Sequence, residues 1–176
     1  SIMLQLFEAW LAYVMGISYE DPNRHPVPDF KNYFALFDTH LNLRDGQELH
    51  FELGRSLVGQ CGSLISRVLY IKEGLQTRFA VIDAGMTELI RPALYEAAHH
   101  VEVLTSRKAP STYNVVGPIC ESSDTFRTDI SLPELERGDL VAIRSCGAYG
   151  QVMSSDYNLR KRAEAWYSDQ FEAAGA

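Results

Sequence analysis

The sequence predicts a mostly β fold of the α+β kind, in which one helix and one strand precede a β-domain. Three observations carry this. Residues 30–41 place Phe30, Tyr33, Phe34, Phe37 and Leu41 at the offsets of a single helical face. Just beyond, Leu49, Phe51 and Leu53 alternate with Glu48, His50 and Glu52, the period of a strand. From residue 64 onward, short runs rich in Val, Ile, Leu, Phe and Tyr are punctuated by Gly74, Gly85 and Gly138.

Residues 1–15 are apolar helix formers, too short to cross a bilayer, and they lack the basic start of a secretory signal. Pro22, Pro26 and Pro28 mark an extended linker, after which Asp29 is placed to cap a helix over residues 29–43, with Gly46 beyond its end. A helix followed by a strand is the unit that α/β barrels repeat. If 49–53 is the last strand of such a barrel, Gly54 and Arg55 fall on its C-terminal rim, where barrel enzymes keep their active sites. The domains expected are therefore 1–58, a barrel remnant, and 59–176, a β-domain. Within the latter, strands are predicted over 64–72, 78–83, 100–104, 113–119 and 139–144, with a short helix over 89–95 that holds Pro92 in its first turn.

Composition narrows the function. A formal charge of -7 with no Lys/Arg run argues against nucleic-acid and anionic-membrane partners. Cys61, Cys120 and Cys146 show no C-x-x-C spacing, and the five histidines show no ligand spacing, so neither a disulfide framework nor a metal site is indicated. A reducing cytoplasm fits these thiols.

The stretch from Val115 to Asp124 stands apart. An apolar run passes through Gly117 and Pro118 and empties into Cys120, Glu121, Ser122, Ser123 and Asp124, as a strand leading to a polar loop would. Taken alone, it fits a buried thiol and a solvated carboxylate as well as it fits a reactive pair.

Four other stretches change that weighing. They are Phe51-Glu52-Leu53-Gly54-Arg55-Ser56, Asp83-Ala84-Gly85-Met86, Leu89-Ile90-Arg91-Pro92-Ala93-Leu94-Tyr95, and Gly147-Ala148-Tyr149-Gly150 followed by Met153-Ser154-Ser155-Asp156-Tyr157-Asn158. In order and spacing they resemble, together with the Cys-Glu-Ser stretch, the C-terminal portion of the diaminopimelate decarboxylases, fold-type III pyridoxal-phosphate enzymes of lysine biosynthesis. The resemblance runs from about Gly16 to Arg160. It implies the C-terminal part of an enzyme that converts meso-2,6-diaminopimelate to L-lysine and carbon dioxide, with pyridoxal 5'-phosphate as cofactor and a homodimer with shared sites as its form.

The resemblance also implies roles. Arg55, Arg91, Tyr95, Glu121 and Tyr149 match positions that bind substrate, and Glu52, Gly54, Arg55 and Tyr149 match positions around the cofactor. Cys120 matches the residue that returns a proton to the α-carbon, a task that suits a thiol, protonated at neutral pH yet able to give its proton up. Cys120 and Glu121 would reach across a dimer interface into the neighbouring barrel. The residue types agree with the chemistry: a far carboxylate calls for a guanidinium and a far ammonium for an anion.

Two departures stand out. Leu53 replaces the family's proline, and Ala12-Tyr13-Val14 replace its glycine-rich phosphate loop. Lys31, Lys72, Lys108 and Lys161 lie in no motif for the cofactor's lysine, so the chain alone is expected to be inactive. Ornithine and arginine decarboxylases are the nearest enzymatic alternatives, but carry Cys-Asp in place of Cys-Glu-Ser. A dimerising or regulatory β-domain is the non-enzymatic alternative. Cys61 and Cys146 are assigned to packing, as are Tyr113, Phe126 and Tyr157, and Asp124 to capping or orienting its loop.

Overall fold

The computed structural model describes residues 17–24, 27 and 29–172. The expectations for residues 1–15, including Ala12-Tyr13-Val14, lie outside them. Helix α1 spans Phe30–His40, and Asp29 caps it as predicted, its carboxylate accepting the Asn32 N–H at 3.1 Å. Its aromatic face packs on Phe51, with ring centroids 4.8 Å away at Phe34 and 5.0 Å at Phe37. The strand expected over 49–53 is not formed. That segment has no regular secondary structure and no ladder partner among the described residues, Leu53 already taking helical dihedrals (φ -70°, ψ -17°), and a barrel strand takes its hydrogen bonds from neighbouring barrel strands. It ends in two short 3₁₀ turns, Gly54–Ser56 and Gly59–Cys61.

Six strands then make one sheet: β1 (Leu64–Glu73), β2 (Arg78–Ile82), β3 (Val101–Val103), β4 (Pro110–Val116), β5 (Thr125–Pro133) and β6 (Leu140–Ile143). Their spatial order is β3-β6-β1-β2-β4-β5. β1 changes partner halfway, pairing residues 64–67 with β6 and residues 68–73 with β2, with an irregularity after Val68 that bends the sheet. The edge strands β3 and β5 touch, and Arg127 of β5 donates to the carbonyl of His99 at 3.1 Å, so the sheet nearly closes into a barrel. Val68, Ile82, Leu89, Val101, Tyr113, Val115, Phe126, Leu132 and Ile143 form one core inside it.

Four of the predicted strands match to within one residue at either end. The strand expected over 113–119 instead starts at Pro110 and ends at Val116, because Gly117 and Pro118 turn the chain out of the ladder. Strand β5 was missed. Its inward residues Phe126, Ile130 and Leu132 do alternate, but Thr128 interrupts the apolar series. Asp129 takes φ 50° beside a break in register, where its N–H bonds the Asn114 side chain at 2.8 Å. Every neighbouring pair is antiparallel except β2 and β4, which run parallel.

That exception decides where the motifs lie. β2 and β6 both run opposite to β1, and β4 runs with β2. The end of β2 (residues 83–86), the end of β4 (117–121), the end of β6 (147–150) and the entry to β1 after Gly54–Ser56 therefore all emerge at one end of the sheet.

Asp124 ties two of these exits together. Only 3% exposed, its carboxylate accepts the N–H groups of Met86 at 2.6 Å and Ile119 at 2.7 Å. The role expected for it, orienting its loop, is the one it plays, and it extends to the neighbouring loop. A Cβ on Gly117 would fall on this carboxylate. Gly117→Ala should therefore lower the unfolding free energy by roughly 1–3 kcal/mol in urea titration. Tyr113→Phe, which strips the Leu135 N–H of its buried acceptor at 3.1 Å, should cost a similar amount, roughly 1–3 kcal/mol.

Candidate functional site

A cavity of about 930 Å³ opens at that end of the sheet. Glu52, Gly54, Arg55, Arg91, Tyr95 and Tyr149 all line it, with Tyr19 and Met153. These are six of the eight residues singled out in the sequence, drawn from three separate stretches. The remaining two, Cys120 and Glu121, do not line it. Both are exposed on the loop after β4, and Glu121 Oε1 accepts the Tyr157 hydroxyl at 2.5 Å. A second cavity of about 1270 Å³, lined by Cys61, Cys146, Glu88 and residues 163–169 among others, contains none of the predicted site residues.

Arg91 is the centre of the first cavity. It opens helix α2 (Arg91–Tyr95), where Pro92 sits in the first turn and needs no N–H partner. Its guanidinium lies 5.4 Å from the ring centre of Tyr19, 5.0 Å from Tyr95 and 5.3 Å from Tyr149, a cage that lets a cation lose water against π-faces. Arg91 is only 6% exposed, makes no ion pair among the described residues, and has a buried Nε without a partner. A buried guanidinium in that condition is open to an anion. Arg55, half-buried, donates to the Tyr19 hydroxyl at 3.1 Å. Gly54 has φ 55° and open space where a Cβ would point, leaving the backbone beside Arg55 bare. Tyr149 is held at φ 67°, a costly conformation for a non-glycine residue that brings its ring to Arg91.

Behind the cage lies a residue that the sequence did not single out. His99 is fully buried, 4.5 Å from the Tyr19 ring between centroids, and its Nδ1 donates to the Arg144 carbonyl at 2.8 Å. The neutral ring therefore turns an unprotonated Nε2 inward, where it has no partner. Burial, aided by the charges of Arg91 and Arg127 and opposed by the bond to Arg144, lowers its pKa. No pattern in the sequence distinguishes His99 from His100. Cys146, assigned to packing, has its pKa pushed up to about 12 by burial, so it stays a protonated, unreactive thiol. Tyr113 and Phe126 are core residues as expected, whereas Tyr157 is half-exposed and bonded to Glu121 rather than packed in a core. Among the described residues no cluster of His, Cys, Asp and Glu could hold a metal ion, and no helix is long and apolar enough to cross a membrane.

Residues 12–147 match the family model described as the C-terminal sheet domain of pyridoxal-dependent decarboxylases. The chain belongs to that family. It is 58% identical over 156 residues to the diaminopimelate decarboxylase of Bacteroides thetaiotaomicron, a match covering 89% of this chain and 40% of the relative. It is 44% identical to the Helicobacter pylori diaminopimelate decarboxylase, covering 84% and 36%. The crystal structure of a Helicobacter pylori diaminopimelate decarboxylase with L-lysine superposes with a TM-score of 0.71 at 44% identity, covering 84% of this chain and 36% of that one. A lysine/ornithine decarboxylase from Vibrio vulnificus, complexed with cadaverine, is more distant, with a TM-score of 0.58 at 26% identity and coverage of 62% and 30%. The chain spans about 36–40% of the length of these two curated relatives.

The lowered pKa of His99 has a direction that can be measured. As pH falls through the ordinary imidazole value of 6.5, the unfolded chain takes up a proton that the folded His99 refuses, so stability is lost on the acid side. The contribution is bounded at about 1.4 kcal/mol per pH unit for one proton. Thermal melts from pH 8 to 5 should fall less steeply in His99→Gln than in the parent chain.

Proposed function

We propose that this chain is the C-terminal part of a pyridoxal-phosphate-dependent diaminopimelate decarboxylase, a cytoplasmic enzyme that forms L-lysine and carbon dioxide from meso-2,6-diaminopimelate. The observation that carries this is the caged Arg91, without an ion pair among the described residues, in a cavity shared with Arg55, Tyr95 and Tyr149. The substrate bears an amino-acid group at each end, one to react and one to be recognised. Arg91, with Arg55, receives the far carboxylate, Tyr95 and Tyr149 wall it in, and Glu121 takes the far ammonium.

The residues present fit the cofactor in part. The bare backbone at Gly54, the Arg55 cation and the Tyr149 ring suit a phosphorylated aromatic ring, with Glu52 beside them. No lysine lines the cavity, so the covalent amine comes from elsewhere in the enzyme. Bound there, pyridoxal phosphate supplies an electron sink that allows a carboxylate to leave the α-carbon as carbon dioxide. Cys120 holds a proton on Sγ and delivers it to that carbon once the carboxylate has left.

The exposure of Cys120 and Glu121, outside the cavity that gathers the other residues, supports sites shared across a homodimer. Each loop then serves its partner's cavity. The Cys-Glu-Ser sequence and the gradient of identity, from 58% to 26%, favour diaminopimelate over ornithine or arginine as substrate.

Kinetics of the full-length enzyme that carries this domain test the reading. Glu121→Gln keeps the shape and deletes the charge, and should raise KM for meso-diaminopimelate about ten- to a hundredfold. Cys120→Ala should lower kcat while leaving KM nearly unchanged, since a proton donor acts after binding. Ornithine outperforming diaminopimelate would refute the assignment. The isolated chain, mixed with pyridoxal phosphate and treated with borohydride, should yield no adduct at a single specific lysine by mass spectrometry.

A further inference from the structure

We propose that Tyr157 is a positioning residue that sets the Glu121 carboxylate in place for substrate. This rests on the reading above, in which Glu121 receives the far ammonium. Tyr157 Oη donates to Glu121 Oε1 at 2.5 Å, the length of a strong hydrogen bond to an ionised acceptor. The Tyr157 pKa is raised, first by this bond and then by the Glu121 charge, so the phenol remains the donor across the neutral range. Among the described residues, no hydrogen bond occupies Oε2, which leaves that oxygen free for an ammonium.

Both partners are anchored to the same third segment, the exit of β2 at residues 83–88. On one side, Asp124 fastens the Glu121 loop through the N–H groups of Ile119 and Met86, while the Asp124 N–H bonds the Glu121 carbonyl at 3.1 Å. On the other, the Tyr157 segment is fastened where the Ser155 N–H meets the Thr87 carbonyl at 2.9 Å. Arg160 Nη2 bonds the Asp83 carbonyl, and its Nε stands 3.8 Å from Glu88 Oε1. Glu88 is itself held by the Gly85 N–H and the Thr87 hydroxyl, each at 2.8 Å.

The Tyr157–Glu121 bond therefore closes a ring whose other links are the Asp124 carboxylate, the Arg160 guanidinium and the Ser155–Thr87 backbone bond. An exposed glutamate would otherwise turn through its rotamers and lose that freedom on binding, whereas here the loss is met during folding. The hydroxyl is what matters, because a phenylalanine ring would leave the carboxylate free.

The test uses the full-length enzyme carrying this domain, with Tyr157→Phe, Glu121→Gln and the double variant. Tyr157→Phe should raise KM for meso-diaminopimelate about five- to tenfold with kcat within about twofold, the signature of lost preorganisation rather than lost chemistry. In the Glu121→Gln background the same change should add little, since the carboxylate it positions is gone. Arg160→Met, which loosens the segment without touching the pair, should give a smaller rise in KM, and it serves as the second variant should Tyr157→Phe fold poorly. If Glu121→Gln leaves KM unchanged, the reading of Glu121 itself fails. If Glu121→Gln raises KM while Tyr157→Phe matches the parent, lowers kcat alone, or adds its full effect to Glu121→Gln, the positioning role is overturned and the reading of Glu121 stands.

Discussion

The parallel pairing of β2 with β4 is the constraint on which the arrangement of this domain depends. In a fully antiparallel meander, successive strand exits alternate between the two ends of a sheet. Here β2 exits, the chain crosses over through helix α2 and β3, and β4 returns in the same direction as β2. Both exits, together with that of β6, are thereby brought to the end where β1 begins. Reverse β4, and Cys120 and Glu121 would emerge at the opposite end from Arg91 and Tyr149. The parallel register is short, Phe79 to Asn114 through Val81 to Val116, but it lies in the core, with Ala80 and Val115 buried.

Asp124 turns this shared end into a rigid one. Taking a carboxylate out of water is costly, and burial raises the Asp124 pKa even though the Ile119 and Met86 N–H groups pull it down. The two N–H bonds offset much of that cost and hold two loops in fixed relation. Gly117 and Gly85 follow from the same site, since a side chain at either would meet this carboxylate or the residues beside it. The polar floor of the domain is thus built from backbone donors gathered on buried acids, Asp124 and Glu88, with Ser66 and Asp83 joined beside them.

Two kinds of order meet above that floor. The Arg91 cage is aromatic and, among the described residues, gives its buried guanidinium no ion pair, so the cation is held ready for an anion. The Cys120–Glu121 loop is exposed, and the Glu121 carboxylate on it takes its direction from one phenol rather than from burial. This division is what the proposed sharing of sites between two subunits would require, with one half ready before assembly and the other reachable until it occurs.

Much of this was legible in the chain itself. Periodicity and punctuation marked helix α1 and its Asp29 cap, the short helix expected over 89–95 and formed over Arg91–Tyr95, and five of the six strands, since each signal is local. The candidate residues were legible through five stretches in register with a family. Strand β5 was not, because Thr128 and the left-handed Asp129 break its alternation, and only pairing with β4 keeps it extended. Nor could 49–53 be judged from its alternation, since a strand exists only where a neighbour takes its hydrogen bonds. The sequence by itself determined which side chains this domain offers and the local elements that bear them. The tertiary structure alone decided that Arg91 is caged and, among the described residues, without an ion pair, that His99 rather than His100 is buried behind it, and that Tyr157 meets Glu121. Those outcomes depend on strand order and burial, which join residues far apart in the chain.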